Sequence, residues 1–144
     1  MVRVKFTEKL LSKNLLKNEK QTAVSIGALG EEAAVKAIKK QGYKIIERNY
    51  RTKMGEIDII AKDGDYTCFI EVRLRKNNDF GSPADTIDIN KQRKIIRTAQ
   101  YYAVTKKIYD TPMRFDAVLI NADAKGGKLT NIKTEIIKNA FYIN

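Results

Sequence analysis

The apolar residues of this chain fall into blocks of two different periods, separated by polar clusters. From Gln21 to Gln41 the spacing is helical. Leu29, Ala33 and Ala37 form one stripe, and Gly30, Ala34 and Ile38 lie beside it. Gly42 supplies the stop, and Lys39 and Lys40 sit in the last turn. Tyr43 to Tyr50 predicts a short strand, and Asn49 to Met54 a basic, polar connection. Two short runs follow, Ile57 to Ala61 and Tyr66 to Val72, split by Lys62-Asp63-Gly64-Asp65. Branched runs of this length around an Asp-Gly turn predict an antiparallel hairpin. Leu74 to Asp85 breaks the period and predicts a basic loop, with Ser82-Pro83 suited to a short helical turn. A second helix is predicted from Asn90 to about Lys107, with Ile95, Ala99, Tyr102 and Ala103 facing the core and Asn90 as its cap. Arg114 to Ile120 predicts a strong strand, Gly126-Gly127 a turn, and Leu129 to Ile136 a further strand. Phe141-Tyr142-Ile143 predicts a patch that seals the core.

Helix, three strands, helix, two strands is the order of an α/β domain with a mixed sheet and helices on its faces. The first stretch stands apart. Met1 to Lys20 mixes Val4, Phe6, Leu10 and Leu15 with Arg3, Lys5, Lys9 and Lys13. It reads either as a basic arm that folds on a partner or as a loosely ordered leader. The folded domain is expected over residues 21–144.

The hairpin breaks its own pattern with acids. Asp58 is surrounded by Ile57, Ile59 and Ile60, and Glu71 lies between Ile70 and Val72. A carboxylate in a central strand costs several kcal/mol unless it is paired, hydrogen-bonded or bound to a metal. Strand alternation puts Glu56, Asp58 and Ile60 on one face, and Phe69, Glu71 and Arg73 on one face of the second arm. Asp58, Glu71 and Arg73 can thus converge on one side of a sheet. Asp116 is a third strand acid, for which an ion pair with Arg114 or a neighbouring strand is expected before catalysis. Glu31 lies at the edge of the first helix's buried face, where it either reaches the sheet or remains a rim carboxylate.

Charge adds a partner. The 144 residues carry 28 Lys and Arg against 17 Asp and Glu, a formal net charge of +11. This favours a polyanion, nucleic acid before anionic lipid, over a merely solubilising surface. The candidate phosphate contacts are Arg51 and Lys53 in the polar connection, Arg75 and Lys76 in the basic loop, and Lys91, Arg93, Lys94 and Arg97 at the start of the second helix. Basic residues there oppose the helix dipole, so a ligand explains them better than helix stability does.

Composition also excludes. One cysteine, Cys68, and no histidine exclude any usual zinc site and any histidine-based acid–base scheme. No Gly-rich phosphate loop of a nucleotide-binding kind is present. No apolar stretch approaches the ~20 residues of a membrane span, and the N-terminus lacks a signal peptide's apolar core, so a cytoplasmic protein is expected. Carboxylates without histidine suit Mg²⁺ or Mn²⁺. In so basic a chain, phosphodiester hydrolysis is the reaction class that fits these features together.

The series Gly30-Glu31, Gly42-Tyr43, Asn49-Tyr50-Arg51, Gly55-Glu56-Ile57-Asp58, Phe69-Ile70-Glu71-Val72, Phe80-Gly81, Lys91 and Arg114-Phe115-Asp116 resembles the bacterial UPF0102 family typified by YraN. That family is viewed as predicted endonucleases related to archaeal Holliday junction resolvases, in the restriction-endonuclease-like superfamily with the PD-(D/E)xK signature. The resemblance covers roughly Ile26 to Phe141. It implies a three-layer α/β/α core with a central mixed sheet. It implies metal ligation by Asp58 and Glu71, completed or oriented by Glu31. The signature lysine falls at Arg73, where the chain departs from the pattern. Arginine keeps the charge and can serve a phosphate, but it stays protonated and cannot act as a general base. Lys91, or Arg75, is then a candidate for the missing lysine's charge. The resemblance thus implies a metal-dependent endonuclease acting on DNA, branched DNA included, with RNA not excluded and a homodimer expected. The alternative is a non-catalytic nucleic-acid-binding protein with a degenerate nuclease site. A third reading is a structural protein whose charge serves solubility.

Overall fold

The computed structural model describes residues 26–76 and 87–143. The proposed arm at Met1 to Lys20, the proposed helix's first residues and the turn at Ser82-Pro83 lie outside these. A first helix, α1, runs through residues 26–40. It is followed by β1 (Lys44–Thr52), β2 (Gly55–Asp63), β3 (Tyr66–Lys76), α2 (Ile89–Lys106), β4 (Met113–Lys125) and β5 (Lys128–Phe141). The five strands form one sheet in the order β1-β2-β3-β4-β5. β3 and β4 are parallel, and every other neighbouring pair is antiparallel. A parallel pair needs a crossover, and α2 is in that connection. The expected mixed sheet with a helix on each face is the observed architecture.

The two faces have separate cores. On one, Ala34, Val35 and Ile38 of α1 pack on Ile59, Ala61, Cys68, Ile70, Val118 and Ile120. On the other, Ile95, Ala99 and Tyr102 of α2 pack on Ile57, Ile60, Phe69, Phe115 and Ala117. Because β4 is covered on both sides, Arg114 to Ile120 is buried without alternation, as an interior strand requires. Small residues set the close approaches. A Cβ on Gly30 would lie 3.5 Å from Leu74, and one on Gly55 only 3.0 Å from Thr98 Oγ1, so the start of β2 is held tight against α2.

Several expectations change in detail. Leu29 is 39% exposed, so the buried stripe of α1 is Gly30-Ala34-Ile38 with Val35. The expected connection from Asn49 to Met54 is mostly strand. β1 continues to Thr52, leaving Lys53-Met54 as a two-residue turn into β2. Backbone pairing, which polarity does not reveal, carries the strand through Arg51. Likewise, Leu74, Arg75 and Lys76 belong to β3 rather than to a loop, because they pair with Ile120, Asn121 and Ala122. β5 extends to Phe141, whose ring stacks on Phe115 at 5.0 Å, whereas Tyr142 and Ile143 are exposed and do not seal the core.

α2 is capped by Asp88, not Asn90. Asp88 Oδ1 accepts the Lys91 backbone N–H at 2.9 Å, and no acid follows in the first turn. Asp88→Ala is expected to cost about 1 kcal/mol of stability, read as a lowered urea midpoint at unchanged slope. A shift below a few tenths of a kcal/mol would mean that packing alone sets the helix start.

Candidate functional site

The strand acids lie where β2 and β3 part from regular pairing. The register is simple from Ile59↔Ile70 down to Asp63↔Tyr66, across a turn in which Gly64 has φ 58°. Above it the alternation fails. Ile57 and Ile60 both pack on the α2 side, although they are three residues apart. Regular alternation would put Ile57 on the opposite side from Glu56, Asp58 and Ile60; the break brings it to the α2 side as well, where Glu56 lines a cavity with Lys91, Asp58 meets the charges of Glu71 and Lys91, and Ile60 packs in the core. At the break, Asp58 Oδ2 accepts the Val72 N–H at 2.8 Å, a task that falls to a backbone carbonyl in an unbroken ladder.

Glu71, on the α2 face with Phe69, is only 4% exposed. It has two cationic neighbours. Lys91 Nζ of α2 lies 2.7 Å from Glu71 Oε1, and Arg73 Nε lies 3.6 Å from the same oxygen. The first is a short charge-assisted contact; the second is too long for a hydrogen bond. Arg73 Nε is also buried and has no acceptor, the only such side-chain atom among the described residues. Asp58 lies within reach of the charge on Glu71. Burial, then the charge of Glu71, pushes the Asp58 carboxyl up to about 6, while the Val72 N–H and Lys91 pull the other way. The centre is therefore two carboxylates and two cations, folded into one half-buried cluster.

Glu31 stands on other partners. Its Oε1 accepts from Arg48 Nε at 3.4 Å and from Asn49 Nδ2 at 3.1 Å, both on β1. Asn49 adopts φ 53°, a conformation that Asn tolerates better than most residues. Among the described residues, no three carboxylates gather into a group that could hold a metal ion. The donor set in place is the pair Asp58 and Glu71, hard oxygen ligands of the kind Mg²⁺ and Mn²⁺ prefer, with Lys91 already on one of them.

The basic candidates divide by face. Lys91 turns inward to Glu71, which accounts for its place in a first turn where the dipole disfavours it. Lys94 and Asn90 join Lys91, Gly55 and Glu56 in lining a cavity of about 370 Å³ between the start of β2 and α2. Arg93 and Arg97 line a separate groove with Tyr142. Arg51 pairs with Glu56 at 3.3 Å, and Lys53 is exposed in the β1–β2 turn. Arg75 is half-buried in β3, and Lys76 ends that strand.

A second polar cluster lies away from this centre. Asp116, fully buried, accepts from Arg114 Nε at 2.9 Å, from the Tyr43 hydroxyl at 2.9 Å and from the Asn139 N–H at 3.1 Å. Its expected pairing with Arg114 is observed. The involvement of Tyr43, 73 residues away, had no sequence signal. Cys68 is also buried, and burial followed by the charge of Asp116 pushes its thiol up to about 12, which leaves it unreactive. No helix among the described residues is long and apolar enough to cross a membrane.

Comparison with known proteins identifies the family of the chain. The sequence profile of the uncharacterised protein family UPF0102 matches residues 30–120, which cover most of α1, all of α2 and the strands carrying Asp58 and Glu71. A UPF0102 protein of Acetivibrio thermocellus is 41% identical over 126 residues, covering 87% of this chain and 95% of the relative. One of Clostridium botulinum is 45% identical over 119 residues, covering 82% and 94%. One of Caldicellulosiruptor saccharolyticus is 42% identical over 116 residues, covering 81% and 96%. With its restriction-endonuclease-like α/β/α core, the chain belongs to the UPF0102 family.

Proposed function

We propose that this protein binds nucleic acid, DNA foremost, at a nuclease-type site whose lysine position holds Arg73. The observation that carries the reading is Arg73 Nε: a buried donor without an acceptor among the described residues, beside a carboxylate already taken by Lys91. A buried donor left unpaired is costly, and the Arg73 side chain, 30% exposed, can turn its guanidinium to a phosphate oxygen, an acceptor of the right charge. The neighbouring cavity carries Lys94 and Asn90, and Arg93 and Arg97 are exposed on the same helix. A chain of net charge +11 favours approach by a polyanion. Arg51, Lys53, Arg75 and Lys76 extend the proposed contact surface, and a homodimer would present it twice.

A second reading is hydrolysis of the phosphodiester bond. It is favoured by the Asp58–Glu71 interaction, since two carboxylates that oppose each other's charge are what a bound cation relieves. Asp58 and Glu71 would hold Mg²⁺ or Mn²⁺, which supplies an activated water and charge neutralisation when bound. Glu31 would support the site from α1, and Arg73 would meet the phosphate.

Fluorescence anisotropy with labelled four-way junction, duplex and single-stranded DNA tests the binding reading. With about four phosphates neutralised, affinity should fall by about 100-fold between ~50 and ~200 mM salt. A flat response would overturn it. The same substrates incubated with Mg²⁺ or Mn²⁺, with EDTA and Glu71→Ala as controls, separate the two readings. Metal-dependent cleavage lost in Glu71→Ala supports hydrolysis. Binding without cleavage, with cleavage gained in Arg73→Lys, supports the degenerate site.

A further inference from the structure

Among the described residues, Lys91 is the one cation at this centre supplied by an element other than the two strands. Glu71 and Arg73 are neighbours on β3, and Asp58 is on β2, but Lys91 comes from the first turn of α2. Its placement is built in at three levels. Asp88 caps the helix by accepting the backbone N–H of Lys91 itself. Gly55 permits α2 to lie close against the start of β2. Ile95, one turn further on, anchors that face of the helix in the core. The result is an ammonium 2.7 Å from a carboxylate oxygen of a residue only 4% exposed.

Glu71 Oε1 has one cation on it at hydrogen-bond distance and a second at 3.6 Å. A divalent ion using that oxygen must compete with the ammonium for it, and the loser must be accommodated nearby. Lys91 also lines the open cavity beside the site, so the side chain has somewhere to go. Lysine is a compact charge on a flexible stem and is suited to such a move, which arginine's rigid fork is not.

We propose that Lys91 is an internal substitute for the divalent cation: it neutralises Glu71 in the metal-free protein and must be displaced before Asp58 and Glu71 can hold an ion. The inference rests on the nuclease-type reading of this carboxylate pair, and it is independent of whether the protein binds DNA. It makes Lys91 a positioning residue of the site, set against metal binding, rather than one more phosphate contact on the surface.

Mn²⁺ binding to the full-length protein, followed by the free-ion resonance signal, tests it without reference to activity. Lys91→Met removes the competing charge, and Lys91→Gln does so while leaving an N–H donor for the buried carboxylate should the methionine variant fold poorly. Either variant should bind Mn²⁺ at least about tenfold more tightly than the natural protein, the effect of removing one close charge competitor. Adding Glu71→Gln to either variant should abolish the gain, and Lys106→Met, an exposed cation in the last turn of the same helix, should show none. Unchanged or weaker Mn²⁺ binding in both lysine variants would overturn the proposal, as would a gain that survives Glu71→Gln. Absence of Mn²⁺ binding in all proteins would overturn it together with the hydrolytic reading. Loss of DNA binding alone, in the anisotropy measurement, would remove the binding reading and leave this one standing.

Discussion

Arg114→Met should destabilise this protein by about 3–5 kcal/mol, the cost of leaving a buried acid without its counter-charge. Arg114 holds more than one partner. Its Nε bonds Asp116 at 2.9 Å, and its Nη2 donates to the Tyr43 hydroxyl at 2.9 Å and to Asp63 at 2.6 Å. Its guanidinium also lies over the ring of Tyr66, at 5.1 Å. The cluster ties β4 to β2 and, through Tyr43, to the short connection between α1 and β1, so its loss reaches both the sheet and the α1-side core. Methionine fills comparable space but pairs with none of these groups. Asp116, fully buried, would have to stay charged beside an apolar side chain or take up a proton. A domain of this size should lose roughly 10–20 °C of melting temperature. The double variant Arg114→Met with Asp116→Leu should recover much of the loss, because a buried ion pair replaced as a whole is often nearly neutral. A single variant within about 1 kcal/mol of the natural protein would mean that the cluster's desolvation cancels its attraction. The pH dependence has a definite sign. Hydrogen bonds from Arg114 and then Lys138 hold the Asp63 carboxyl below its ordinary range. Its contribution is therefore present above its unfolded pKa and lost as pH falls through the lowered one, and Arg114→Met should weaken that acid sensitivity.

The opposite sign is expected at the candidate site. Asp58→Asn should stabilise the protein at pH 8, by on the order of 2 kcal/mol, because it removes a charge that is buried beside a second carboxylate. Burial and the nearby Glu71 push the Asp58 carboxyl up to about 6. A raised carboxyl contributes stability below its unfolded pKa, near 3.8, and that contribution is lost as pH rises through about 6. Asparagine removes the charge yet retains a carbonyl oxygen for the Val72 N–H, which Asp58 accepts at 2.8 Å. The advantage of the variant should thus be small at pH 4 and largest above pH 7. Urea unfolding at the two pH values reads the difference. Equal stability at both would show that Lys91 and the Val72 N–H already neutralise the cost. Such a gain on removing a carboxylate is the mark of a group held at a stability cost for a task other than folding.

Most of the frame was readable before any coordinates. The 3.6-residue spacing in α1 and α2 and the branched runs around Lys62-Asp63-Gly64-Asp65 located both helices and the central hairpin. They could do so because these elements bury one face or both, and burial writes its period into the chain. The strand acids were legible for the converse reason: Asp58 and Glu71 interrupt apolar runs where a carboxylate is costly. The strand ends were not. Arg51, Lys53 and Arg75 look alike as polar residues, but β1 continues through Arg51 and β3 through Arg75 because a neighbouring strand offers them backbone partners. Asp88 and Asn90 are both good capping residues two positions apart, and only the hydrogen bond from the Lys91 N–H distinguishes them.

Local sequence determined the elements, the two acids in the hairpin and the positive charge. These depend on side-chain chemistry and short-range period, which are properties of neighbouring residues. Only the tertiary structure decided the partners. It sent Lys91 inward to Glu71, gave Glu31 to Arg48 and Asn49, and joined Tyr43 to Asp116 and Arg114 across the sheet. Each pairing depends on strand register, on the break beside Asp58 and on the angle at which a helix crosses the sheet. A single residue of slip would send these side chains to the opposite face, and no local pattern encodes that choice.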